Sequence, residues 1–236
     1  MNLKLIADSG DEPIAISDVT AALRYTVGDQ DAYIGGLITA ARILGEICNG
    51  RQLNLKQWDL ALDRWPGVPG WNPNAMPDPY FGFWPSDAYR LMNGLPWDLH
   101  GIRLLAPLVS VDSVTYTDST GTVTTMVEGT DYLVDTWKEP GLICPVSGGQ
   151  WPAQSLWPTS AIHVQFTAGY VPDAAAYAAA NPTLAPAPQV RKNVCHGMMM
   201  LVSQWFADRV PYDAIRFVSE PPFAVAALFS SDKLWK

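Results

Sequence analysis

Cys195-His196 is the pair best suited to chemistry, because a thiolate beside an imidazole can hold a metal or act as a nucleophile with its base. The pair falls in a helix-like stretch, where neighbouring residues point about 100° apart, so one site cannot readily use both. Cys195 is therefore read as a core residue and His196 as its edge. His100, His163 and His196 lie on an expected loop, strand and helix, with no ligand spacing among them. No GxxxxGK[ST] loop is present, and Ser147-Gly148-Gly149 runs into Gln150 rather than a lysine-bearing helix start. GxSxG and HExxH are also missing. Asp131 and Asp135 read as a solvated face of a turn-rich sheet rather than a catalytic dyad. These residues point away from an enzyme and from any cofactor or metal.

Aromatic side chains are the other chemical resource. Trp65, Trp71, Tyr80, Phe81, Trp84 and Trp97 could stack on sugars or bases. Stacking on nucleic acid calls for interleaved cations, and Arg90 is the one Lys or Arg between Trp65 and Gly101. The cluster is expected to cover the parent domain or to meet a neighbouring protein, with Trp71, Tyr80, Phe81 and Trp84 as an interaction loop. Across 236 residues, 48% are hydrophobic and only 16% charged, with 10 Trp, 9 Tyr and 7 Phe. So much apolar area calls for burial against other chains. The net charge of -8 is the wrong sign for gripping phosphates, so tight DNA binding is not expected. Leu104 to Tyr170 holds six acids and one Lys, whereas Gln189 to Lys236 holds six bases and four acids, so the two regions suit different partners. Three cysteines without paired spacing read as buried thiols in a reducing compartment. Met1 to Pro13 lacks a long apolar run and the longest elsewhere is Phe223 to Phe229, so neither a signal peptide nor a membrane span is expected.

The elements that must position these groups follow from periodicity. Ser17 and Asp18 can cap a short helix with Val19, Ala22 and Leu23 on one face. Asp29 or Asp31 opens a second, in which Tyr33, Ile34, Leu37, Ile38, Ala41, Leu44, Ile47 and Cys48 recur at three- and four-residue steps until Asn49-Gly50. Trp58, Leu60 and Leu62 then alternate as a strand would. Asp63 to Gly101, with seven Pro, five Gly and four Trp, has no period and reads as a long insertion. Strands are expected at Ile102–Leu105, from Val109 to Tyr116, and at Thr122–Met126, Tyr132–Asp135, Leu142–Cys144 and Ala161–Thr167, as a small antiparallel sheet or barrel. Pro172 to Pro188 reads as a surface loop, and Val190 to Phe206 as an amphipathic helix that packs on the one ending at Cys48. The fold class is α+β: a bundle of N-terminal (1–51) and C-terminal (171–209) helices, a β domain inserted at 52–170, and a docking tail at 210–236.

In this order and spacing the segments resemble the head-tail connector, or adaptor, family of tailed bacteriophages. The resemblance runs through the helix from Asp31 by Ala40-Ala41 and Glu46 to Asn49-Gly50-Arg51, and through Gln57-Trp58. It continues along Leu104 to Val111, Val114-Thr115-Tyr116, the Asp118 to Gly121 turn and Tyr132-Leu133-Val134. Trp157-Pro158, Val164 to Tyr170 and the helix from Pro188 to Phe206, closing at Asp208-Arg209, complete it. The 63–101 insertion and the tail beyond Arg209 are longer than the family's pattern, so their contacts are not carried over.

The resemblance implies a ring of identical subunits, usually twelve, beneath the portal of a DNA-filled head, with a stopper or tail-completion protein on the other side. Double-stranded DNA would pass through without specific binding, and an acidic wall suits that passage. The chain would be made in the host cytoplasm and end in the virion neck. Phe217, Phe223, Val225, Leu228, Phe229, Leu234 and Trp235 are the expected portal-binding anchors, since so apolar a tail is otherwise poorly placed in water. Two alternatives are a stopper or tail-completion protein of the same neck, and a carbohydrate-binding module suggested by the tryptophans.

Overall fold

A computed structural model describes residues 2–26, 28, 30–66, 101–147, 149–182, 185–207, 223–231, 233 and 234. They form two compact units, one of Met1–Ala7 with Lys56–Ala168 and the other of Asp8–Leu55 with Gly169–Lys236. The class is α+β, with antiparallel sheets in the first unit and helices in the second.

The β unit contains β1 (Asn2–Asp8), β2 (Lys56–Leu62), β3 (Ile102–Arg103), β4 (Leu108–Thr117), β5 (Val123–Met126), β6 (Tyr132–Asp135), β7 (Leu142–Pro145) and β8 (Ile162–Ala168). One sheet runs β1-β2-β8-β4-β5 and a smaller one β3-β7-β6. β8 sets the inward face: Ile162, Val164, Phe166 and Ala168 are buried, and His163, Gln165 and Thr167 alternate with them on the other face. Both sheets feed one hydrophobic cluster, with Ile102, Tyr132 and Ile143 joining Leu60, Val114 and Phe166. Each large side chain shut in this cluster contributes roughly 1.5–3 kcal/mol.

Three readings change in this unit. An N-terminal strand, β1, lies at the sheet edge, where its exposed side chains leave little periodic signal. The expected strand at Ile102–Leu105 is only Ile102–Arg103. Trp65 belongs to the core: it is 1% exposed, stacks on Trp151 at 4.5 Å and meets Tyr116 edge-on at 6.0 Å.

The helical unit contains α1 (Ile16–Leu23), α2 (Asp31–Asn49), α3 (Ala174–Ala180), α4 (Lys192–Ala207) and α5 (Phe223–Ser230). Its core joins Val19, Ile34, Ile38, Ala41, Leu53, Val194, Met198, Leu201, Val202, Val225 and Phe229. α2 and α4 pack together, and each also touches α1 and α5. α2 stops as its sequence demands, with Gly50 in the left-handed conformation and its N–H bonded to the Glu46 carbonyl. Gly169 is equally constrained: at φ +132° its Cβ would lie 1.9 Å from the Asn54 carbonyl oxygen, so no other residue fits.

Further corrections fall here. The expected Ser17 or Asp18 cap is not made; Ala15 is the N-cap, without a side-chain bond, and Arg24 closes α1 in the left-handed conformation. The 172–188 stretch carries α3, an alanine helix that Asp173 caps by accepting from the N–H groups of Ala175 and Ala176. Within the terminal segment, α5 is built into the unit rather than standing free of it. Phe229 is fully buried against Gly45 of α2 and Gly197 of α4, and Val225 is 1% exposed. Those glycines sit in helix interiors, where glycine costs about 1 kcal/mol against alanine, and their missing side chains make room for the Phe229 ring. Val225 and Phe229 are thus spoken for within their own unit and are not free anchors for a partner.

Candidate protein-interaction surface

Of the groups that sequence marked for chemistry, Cys195, Asp131 and Asp135 bond to backbone groups, and His100 lies outside the described residues. Cys195 points its Sγ at the Pro13 carbonyl, 3.8 Å away, and burial pushes its thiol pKa up. Its neighbour His196 is exposed. Burial also raises the Cys48 and Cys144 thiols, against the pull of Lys233 and Lys138 respectively. All three cysteines are free. Asp131 accepts from the Val127 N–H at 2.8 Å and Asp135 from the Trp137 N–H at 3.0 Å, so both brace turns. Asp118 is held below the usual carboxylate range by the Thr120 hydroxyl and the Thr122 N–H.

One pair escaped the sequence reading. His163 Nδ1 lies 3.1 Å from both Asp59 carboxylate oxygens across β8 and β2, because residues 104 apart are brought together by strand register. Among the described residues, no hydroxyl or thiol bonds the other ring nitrogen. No group of three or more potential metal ligands occurs among the described residues. Nor is any helix among them long and apolar enough to cross a membrane.

What the helical unit does present is an inverted helix. The charged residues of α2 are Asp31, Arg42 and Glu46. Arg42 is buried, with Nε 2.9 Å from Glu12 and Nη1 3.2 Å from Glu46 and 3.3 Å from Asn54. Burial alone would lower the Arg42 pKa, but its bonds to Glu12 and Glu46 and their charge outweigh it and hold the guanidinium above its ordinary value. Glu46 also accepts from the Leu53 N–H at 3.0 Å, and Glu12 from the Thr39 hydroxyl at 2.8 Å. The opposite face, Tyr33, Gly36, Ala40, Ile43 and Ile47, carries no charge and is exposed, Ile47 to 74%. Periodicity groups Tyr33 and Ile47 with the inward stripe, but both are exposed; three- and four-residue steps run along both sides of this helix and do not separate them.

The β unit shows a different surface, of single apolar residues set among acids. Trp137 is 96% exposed, next to Asp135, Lys138 and Glu139, while Val127, Leu133, Val123 and Trp157 are also exposed. Of the expected portal anchors, Leu228 and Leu234 are half-buried. Phe217 and Trp235 lie outside the described residues, as do the interaction-loop aromatics Trp71, Tyr80, Phe81 and Trp84, and Phe223 is placed only as the first residue of α5.

No family model and no curated protein matches the chain. Solved structures do match it end to end. A chain in the neck of an empty GTA particle, reconstructed with C6 symmetry, aligns with a TM-score of 0.62 at 17% identity over 99% of this chain and 95% of its own. A chain in the virion of a native gene transfer agent (GTA) particle gives the same values. One in the neck of a native GTA particle, reconstructed with C12 symmetry, gives 0.59 at 17% identity. The chain therefore has the fold of a chain found in the neck of gene transfer agent particles.

Proposed function

We propose that this chain is a non-enzymatic structural subunit of the neck of a tailed phage or phage-like particle. In this reading identical copies, twelve in number, close into an adaptor ring between the portal and a stopper or tail-completion protein. The observation that carries the reading is the end-to-end fold match to neck chains, spanning 99% of this chain and 95% of theirs. The absence of charge from the outer face of α2 agrees with it, since a ring subunit must hide apolar area against its neighbours.

The division of labour follows the chemistry of the two units. The helices form the ring body, and the chain end makes the portal contact through Phe217, Leu228, Leu234 and Trp235, while Val225 and Phe229 hold α5 in place. The β unit, acidic and tipped by Trp137, receives the next neck protein. Double-stranded DNA crosses the ring without specific contacts, because a subunit of net charge -8 repels phosphate. The chain is made in the host cytoplasm and functions in the virion.

Purified portal and purified tail-completion protein, each mixed with this chain, test the assignment. Stable binding to portal is expected. Binding to the tail-completion or tail-tube component alone would make the chain a stopper, and binding to a glycan with neither would return it to the carbohydrate-binding reading.

A further inference from the structure

We infer that the outer face of α2 is the seam between adjacent copies of this chain. The inference rests on the ring reading above and says which surface closes the ring.

Three observations converge on a second copy as the occupant. Tyr33, Gly36, Ala40, Ile43 and Ile47 recur at steps of three, four, three and four, the spacing with which one helix meets another element along its length. From Tyr33 to Ile47 this stripe is about 21 Å long at 1.5 Å per residue. A helix that is apolar on both sides is one that is buried on both sides, and among the described residues the core of the unit takes in Ile34, Ile38 and Ala41, with Leu37, Leu44 and Cys48 packed at its margin and Tyr33 touching Phe206, while Ile43 and Ile47 are exposed.

Charge selects the partner. Each copy carries a net charge of -8, so copies repel one another on the whole. They can meet through a face without charge, and the stripe from Tyr33 to Ile47 is such a face: beyond Asp31 in the first turn, the charged residues of α2 are Arg42, bonded to Glu12 and Asn54, and Glu46, which accepts from Arg42 and the Leu53 N–H. A basic partner would instead be met by carboxylates, which this face lacks. The solved chains of the same fold sit in necks reconstructed with sixfold and twelvefold symmetry. Rotational rings of that kind need a face that meets a different face of the next subunit.

Gly36 gives the inference a distinctive signature. A Cβ placed there meets nothing within 4 Å, so the isolated unit has room for a larger side chain. Gly36→Leu should leave the thermal midpoint of the isolated chain unchanged or raised, since glycine is the poorer helix former. The same change should keep copies apart, as should Ile43→Glu with Ile47→Glu, which is expected to weaken copy-to-copy association at least about 100-fold.

The decisive experiment places a photo-crosslinking phenylalanine at position 47 of the full chain in assembled necks, and identifies the adduct by mass. The expected product joins two copies of this chain, with the captured peptide lying outside α2 of the neighbour. An adduct to a different neck protein, an α2-to-α2 adduct, or normal ring assembly by Gly36→Leu and the double glutamate variant would each overturn the seam while leaving the neck assignment standing. A chain absent from purified particles would overturn the neck assignment itself, and the seam with it.

Discussion

Ile38 and Ile47 are the same residue on the same helix, yet one is 1% exposed in the core of the helical unit and the other 74% exposed. Their chemistry is identical, so the difference lies wholly in what stands opposite. Ile38 faces the rest of its own unit, and in our account Ile47 faces another copy of the chain. Hydrophobic periodicity reports that a residue is to be buried, but not by which chain. The β unit adds a contrast, because its exposed apolar residues are scattered among acids instead of forming one uncharged stripe.

The comparison breaks or sharpens under substitution. The largest effect is expected inside: Phe229→Ala empties the space against Gly45 and Gly197 and should cost about 3–5 kcal/mol in chemical denaturation. Removing Phe223 to Lys236 should then unfold the helical unit and not merely release a partner. A deletion variant that keeps its near-ultraviolet circular dichroism would show that α5 is dispensable. Arg42→Ala, which leaves Glu12 and Glu46 facing each other partly buried, should cost about 3–5 kcal/mol in the same assay. Ile38→Ala should follow at about 2–5 kcal/mol.

Smaller effects belong to groups that titrate or face outward. The folded chain raises its thiol pKa values, so the unfolded chain loses those protons first as pH climbs. Their stabilising contribution is therefore complete below the unfolded thiol pKa of about 8.5 and is lost above it as pH approaches the folded values. Alkylation of the native chain at neutral pH should be slower than that of an unfolded control, with Cys195 the slowest. Ile47→Ser and Trp137→Ala should change the stability of the isolated chain by no more than about 0.5 kcal/mol. Their consequence should appear in binding instead, Ile47→Ser between copies and Trp137→Ala toward the next neck protein.

Much of the architecture was legible because local signals agreed with the fold. Asn49-Gly50 ended α2, the 118–121 turn followed β4, and the alternation along β8 matched its buried face. Where the reading failed, burial was supplied from far along the chain. β1 is an exposed edge strand without a pattern of its own, and α3 is a run of alanines with no apolar face to betray it. The tail looked unpartnered because its socket is made of absences, Gly45 and Gly197, which carry no hydrophobic signal. The Asp59 and His163 pair was hidden by register, since only strand pairing brings the two together. The surface of α2 was half legible: its apolar residues were found, but not that two sets of them face opposite ways.

An axial reconstruction of purified necks containing this chain tests the central claim most directly. The account predicts one closed ring of twelve identical copies of this chain, with Tyr33, Ile43 and Ile47 of each buried against the next. Particles whose neck lacks the chain, or holds it as isolated subunits with α2 facing solvent, would contradict it.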